Sequence, residues 1–134
     1  MMNSSPDLTK LKDIFPRYRS IDAVYLFGSR VTGKLHTQSD LDLAIYSEDP
    51  GLKEQKLDIL ADLAQAGFCD VDLVFLNDAN IVLQFEVVRL NTVIYKKPDF
   101  SPGAFFSKTV RLYFDFYPYL VLQRKAYKER ILNA

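Results

Sequence analysis

The chain is poor in the residues that most often carry reactive chemistry. Cysteine occurs once, at Cys69, so no intramolecular disulfide can form and the sequence suits a reducing cytoplasm. Cys69 stands beside an expected strand and reads as a small buried hydrophobe rather than a catalytic thiol. Histidine also occurs once, at His36, in an expected loop, where a solvated side chain and a substrate contact are both open readings. A surplus of either charge is missing: 17 Lys and Arg balance 17 Asp and Glu. That argues against a free-standing RNA or DNA binder, which carries a basic surface. No apolar stretch approaches the roughly 18 residues of a membrane helix, and no signal peptide is visible. What is present is ordinary globular usage, 49% hydrophobic and 25% charged over 134 residues, enough for one domain with its own core.

The informative stretch is 24–46. Val24-Tyr25-Leu26-Phe27 is an apolar run that ends abruptly in Gly28-Ser29. Such a run bounded by a turn signal reads as a buried strand. Gly28 lets the backbone bend and approach a ligand closely, and the N–H groups that follow it suit phosphate. Arg30 comes next, either as a neutraliser of phosphate charge or as half of a surface ion pair. Ten residues after Ser29 comes Asp40-Leu41-Asp42-Leu43-Ala44-Ile45-Tyr46. Asp40 and Asp42 are two apart and share one face of a strand, while Leu41, Leu43 and Ile45 face the core. Two like charges on one face call for a cation. Hard carboxylate oxygens suit Mg²⁺, which completes its shell with substrate phosphates. A phosphate cradle beside a carboxylate pair describes a site for a nucleoside triphosphate. The bland alternative, two solvated aspartates on an exposed face, leaves the Gly-Ser spacing unexplained.

The rest of the chain is expected to build an α/β domain around that stretch, with a small mixed sheet flanked by helices. Asp7 is expected to cap a first helix through about Arg19, with Leu8, Leu11, Ile14 and Phe15 inward and Pro16 kinking or ending it. Residues 21–27 and 40–47 are strands, with a helical turn and loop between them. Leu52 to Ala66 reads as an amphipathic helix with Leu52, Leu57, Leu60, Leu63 and Ala64 inward, stopped by Gly67. Val71 to Leu76 is a third strand, in which Asp72 is the one acid. Asn77-Asp78 is expected to cap a helix through about Leu90, and 92–95 is a short extra strand. A Pro-containing linker leads to a helical tail from about Ala104 to Leu132, with Pro118 as a kink. The tail carries aromatics on several sides, which fits either a protein interface or packing over the sheet. The division expected is 1–98 for the catalytic domain and 99–134 for a helical extension packed on it.

Gly28-Ser29, ten residues, then Asp40-x-Asp42 resembles the signature of the polymerase β-like nucleotidyltransferase superfamily. Phe27-Gly-Ser-Arg-Val-Thr-Gly33 and Ser39-Asp-Leu-Asp-Leu-Ala-Ile45 look like the minimal nucleotidyltransferases, the antitoxin halves of HEPN–MNT toxin–antitoxin pairs. The likeness covers about 20–95 well and the aromatic tail loosely. It implies a polymerase β-like fold and Mg²⁺-dependent transfer of AMP from ATP, with release of pyrophosphate. It implies Asp40 and Asp42 as metal ligands, a third acid at Asp72 as base or further metal contact, and Gly28, Ser29 and Arg30 at the ATP phosphates. Asp70 is the rival for the third acid, since it shares strand parity with Asp72. The implied acceptor is a hydroxyl, a tyrosine's by expectation, on a HEPN-domain ribonuclease toxin. The tail would then help dock that toxin. Rival readings are an antitoxin that acts by covering the toxin, a small-molecule nucleotidyltransferase of the antibiotic-modifying type, and self-modification of one of the eight tyrosines.

Overall fold

The computed structural model describes residues 8–28 and 41–132. Its centre is a four-stranded sheet in the order β3-β2-β1-β4, formed by β1 (Ala23–Phe27), β2 (Leu41–Tyr46), β3 (Val71–Phe75) and β4 (Val93–Lys96). β1 runs antiparallel to both β2 and β4, while β2 and β3 are parallel. The parallel pair needs a crossover, and residues 50–65 supply it. Pro50–Gln55 is a 3-10 turn that leads into α2 (Lys56–Gln65).

The strand sequences explain why both faces of the sheet are covered. β1 and β2 are nearly continuous apolar runs, as expected of strands buried on two sides. Val24, Leu26, Leu41, Leu43 and Ile45 point into one core with Leu11, Ile14, Phe15, Ile59 and Leu63. Ala23, Tyr25 and Ala44 point the other way, into a second core with Leu76 and Val87. The second face is covered by α3 (Ile81–Leu90) and by the start of α4 (Pro102–Leu132). Phe100 and Phe105 are part of that packing.

Several local expectations need correction. The first helix is broken: a 3-10 turn at Leu8–Lys10, α1 at Leu11–Ile14 and another 3-10 turn at Phe15–Arg17 that holds Pro16. Asp7 lies outside the described residues. In α2 the buried positions are Ile59 and Leu63, whereas Leu57 is 79% exposed and Ala64 is also exposed. Leu52 and Leu63 are buried as expected, and Leu60 packs against the first core. Counted from Leu52 at 3.6 residues per turn, the inward positions fall near 59 and 63, so Ile59 is on the stripe while Leu57 and Ala64 are off it. The stop at Gly67 is as expected. Gly67 has φ +102, its N–H bonds to the Ala64 carbonyl, and the Phe68 N–H bonds to the Leu63 carbonyl, the paired pattern of a left-handed helix end. The cap of α3 is Asn80, whose Oδ1 accepts the Leu83 N–H at 2.9 Å, because Leu76–Asp78 forms its own 3-10 turn first. Cys69 is exposed, since it lies between Phe68, which enters the core, and the start of β3. α4 continues through Pro118. Proline there removes one N–H, and the helix around it is exposed, so water can satisfy the freed carbonyl.

Candidate active site

Three strands bring their ends together at one margin of the sheet. β1 ends at Phe27 and turns at Gly28; β2 starts at Leu41-Asp42; β3 starts at Val71-Asp72. Phe27 lies opposite Asp42 across the antiparallel pair. Asp42 is in register with Asp72 across the parallel pair. Neighbouring strands are about 4.8 Å apart, so registered residues on the same face stand side by side. Leu41 and Leu43 on β2, and Leu73 on β3, point into the first core. Strand alternation therefore sends Asp42 and Asp72 to the opposite face. Asp42 is half-buried and Asp72 exposed.

Gly28 backs directly onto Asp42. Its φ is +87, a left-handed value that side chains rarely adopt. A Cβ built on it would collide with the Oδ2 of Asp42 and lie 2.9 Å from its Cγ. The turn therefore needs glycine twice, for its backbone angle and for room beside the carboxylate. Asp70 is exposed, one residue before β3, and its carbonyl accepts the Leu41 N–H at 2.8 Å. Ser29, Arg30, His36 and Asp40 lie outside the described residues.

The donor set is oxygen only. Among the described residues no three His, Cys, Asp or Glu side chains group as a metal site. Asp42 and Asp72 together offer two carboxylates. That fits Mg²⁺, which needs one or two protein carboxylates and takes its other ligands from water and phosphate.

Sequence reasoning passed over Tyr25. Its ring is buried in β1, and its hydroxyl has no hydrogen-bond partner among the described residues. Burial pushes the phenol up to about 12. Tyr25 pairs with Ala44, so it lies on the same face as Asp42, one diagonal away. A tyrosine inside an apolar strand run was the available signal.

The family model for polymerase β-type nucleotidyltransferases matches residues 9–100, a span that contains all four strands. The chain belongs to the polymerase β nucleotidyltransferase family. Within it, this nucleotidyltransferase is 30% identical over 112 residues to the protein adenylyltransferase MntA of Shewanella oneidensis, covering 84% of this chain and 78% of that one. It is a minimal nucleotidyltransferase of that antitoxin type. Its fold matches a crystal structure of a toxin–antitoxin with AMP-PNP at a TM-score of 0.73 and 27% identity, over 94% of this chain and 98% of the other. It also matches a structure of a tri-AMPylated Shewanella oneidensis HEPN toxin in complex with MNT antitoxin. There the TM-score is 0.66 and identity 25%, over 93% of this chain and 95% of the other. The polymerase β-like architecture expected from the motif is thus the one observed, and it extends into the C-terminal helix.

Proposed function

We propose that the chain moves AMP from ATP to a hydroxyl, a tyrosine's, on a cognate HEPN ribonuclease toxin, and so neutralises it as an antitoxin in the cytoplasm. The observation that carries this reading is the registered Asp42–Asp72 pair beside the Gly28 turn. The similar proteins named as adenylyltransferase and as partners of a tri-AMPylated HEPN toxin supply the acceptor class. The similar toxin–antitoxin with AMP-PNP supplies the donor class.

In this reading Gly28, Ser29 and Arg30 hold the ATP phosphates, so that the α-phosphorus faces the acids. Asp40 and Asp42, with Asp72, would hold Mg²⁺, which supplies positive charge against the triphosphate. Asp72 accepts the proton of the acceptor hydroxyl; Asp70 is the other candidate for that place. The hydroxyl oxygen forms a bond to the α-phosphorus, the bond from that phosphorus to the β-phosphate bridging oxygen breaks, and pyrophosphate leaves. The chain's own share is positioning and fixed charge, which dominate phosphoryl and nucleotidyl chemistry. Residues 1–98 act as the transferase unit, and 99–134 as the extension that rests on it and meets the toxin.

ATP labelled at the α- or at the γ-phosphate tests the reaction. Incubation with this chain should place α-label on the toxin and leave γ-label in pyrophosphate. Label on the toxin from the γ position would mean a kinase and end the proposal. Toxin that is inhibited but unlabelled would mean inhibition by occlusion.

A further inference from the structure

At the far end of the same sheet face lies a cavity of about 340 Å³, four residues up β2 from Asp42, or about 13 Å along the strand. Tyr46, Phe100 and Phe105 form its aromatic wall. Their ring centroids are 4.6 Å apart for Tyr46 and Phe105, 5.7 Å for Tyr46 and Phe100, and 5.8 Å for Phe100 and Phe105. All three rings are only half-buried, so they leave surface open to the cavity. Asp22, Glu48 and Asp99 complete the lining.

Asp22 is held already. It forms an ion pair with Lys97 at 3.5 Å and accepts the Glu48 N–H at 2.8 Å. Glu48 and Asp99 have no cationic side chain within 4.0 Å among the described residues. Lys108 also lines the cavity; it is exposed and makes no ion pair within 4.0 Å there among the described residues, so its charge offsets the carboxylates only at a distance and through solvent. The phenol of Tyr46 is raised by burial first, then by Glu48 and Asp22, the response expected where negative potential converges on a partly desolvated ring.

Aromatic rings together with carboxylates, around a space the size of a small-molecule pocket, select an organic cation. We propose that this cavity is a binding site for one alkylammonium or guanidinium group. An anion is repelled by the rim, and a neutral apolar ligand leaves the carboxylates uncompensated. The site is separate from the acids at the other end of β2 and does not depend on adenylyl transfer. The group can be carried by a free small cation or by a lysine or arginine side chain of the protein acceptor.

The test is a titration of the full chain, read on its tyrosine and phenylalanine ring NMR signals, with tetramethylammonium chloride and with Nα-acetyl-arginine amide. Sodium chloride at matched ionic strength is the control. Saturable shifts of Tyr46, Phe100 and Phe105 are expected with the organic cations and not with sodium. The exposed pair Glu48→Gln/Asp99→Asn should keep the fold and weaken binding about tenfold. Phe100→Leu should weaken tetramethylammonium more than the arginine amide, because guanidinium keeps its carboxylate bonds. Two results overturn the proposal: shifts no larger than with sodium, or equal affinity in the Glu48→Gln/Asp99→Asn variant. Either would make the rings a packing device for the start of α4. The source of the group follows from transfer kinetics. A raised KM for the protein acceptor, with KM for ATP unchanged, in the same double variant marks a side chain of the acceptor. Unchanged KM values with retained tetramethylammonium binding in the wild type mark a free cation.

Discussion

Gly28 is the position where one added methyl group should do most harm. Its φ of +87 costs a side chain roughly 1–2 kcal/mol, and a Cβ collides with the Asp42 carboxylate. Gly28→Ala is therefore expected to displace Asp42 and abolish labelling of the acceptor from α-labelled ATP, while circular dichroism stays native. Asp42→Asn should lower turnover by at least about 100-fold, because a neutral amide no longer balances metal or positions phosphate. Retained turnover in that variant would remove Asp42 from the chemistry. Tyr25 makes a different prediction. Its phenol stays protonated to about 12 when folded, against about 10 when unfolded. The unfolded chain then loses its proton first, so folding stability should fall as pH rises through that window. Tyr25→Phe should flatten that decline, and should stabilise the fold by about 1 kcal/mol at neutral pH, since it removes a buried hydroxyl without a described partner; urea unfolding at both pH values reads each effect. The strand positions of Asp42 and Asp72 were legible in the sequence, because alternation along a strand fixes a residue's face; Asp40 lies outside the described residues. That the Tyr25 hydroxyl lacks a partner among the described residues was not legible, since whether a buried tyrosine finds a partner is decided by other elements.

At the scale of elements, strands were easier to read than helix boundaries. β1 to β4 lie close to where the apolar runs place them, because a run of alternating or continuous hydrophobes has few ways to be buried. The helices were misjudged where a 3-10 turn precedes them. In α2 Leu57 was expected inward, whereas Ile59, about two turns on from Leu52, takes that place, and the difference is measurable. Ile59 is fully buried and Leu57 is 79% exposed. Ile59→Ala should cost about 2–5 kcal/mol of unfolding free energy, and Leu57→Ala less than about 0.5 kcal/mol. Equal costs in denaturant unfolding would contradict the packing described. The same lesson holds at the start of α3. Asn77 and Asp78 are good cap residues by type, but Asn77 is committed elsewhere, accepting the Ser47 N–H at 3.2 Å. Asn80 does the capping, and Asn80→Ala should cost about 1 kcal/mol.

As a whole molecule the chain is a compact sheet unit with a 31-residue helix running off it, about 46 Å long at 1.5 Å per residue. Thr109 is its one buried residue among those described. Beyond it, Phe114, Tyr119, Leu122 and Tyr127 are each more than 60% exposed. The aromatic excess was legible in the sequence; what the helix leaves uncovered was not, because that depends on how far it outruns the sheet. Leu122→Ser with Tyr127→Ser is expected to leave stability within about 0.5 kcal/mol and to weaken capture of the toxin partner, with calorimetry reading both. The central claim is nucleotidyl transfer to that partner by the acids at the sheet margin. Its most direct test is the intact mass of the toxin after co-expression with this chain or with its Asp42→Asn variant. The account predicts one or more AMP-sized increments with the wild type and none with the variant. A toxin that co-purifies at its unmodified mass with both would contradict it.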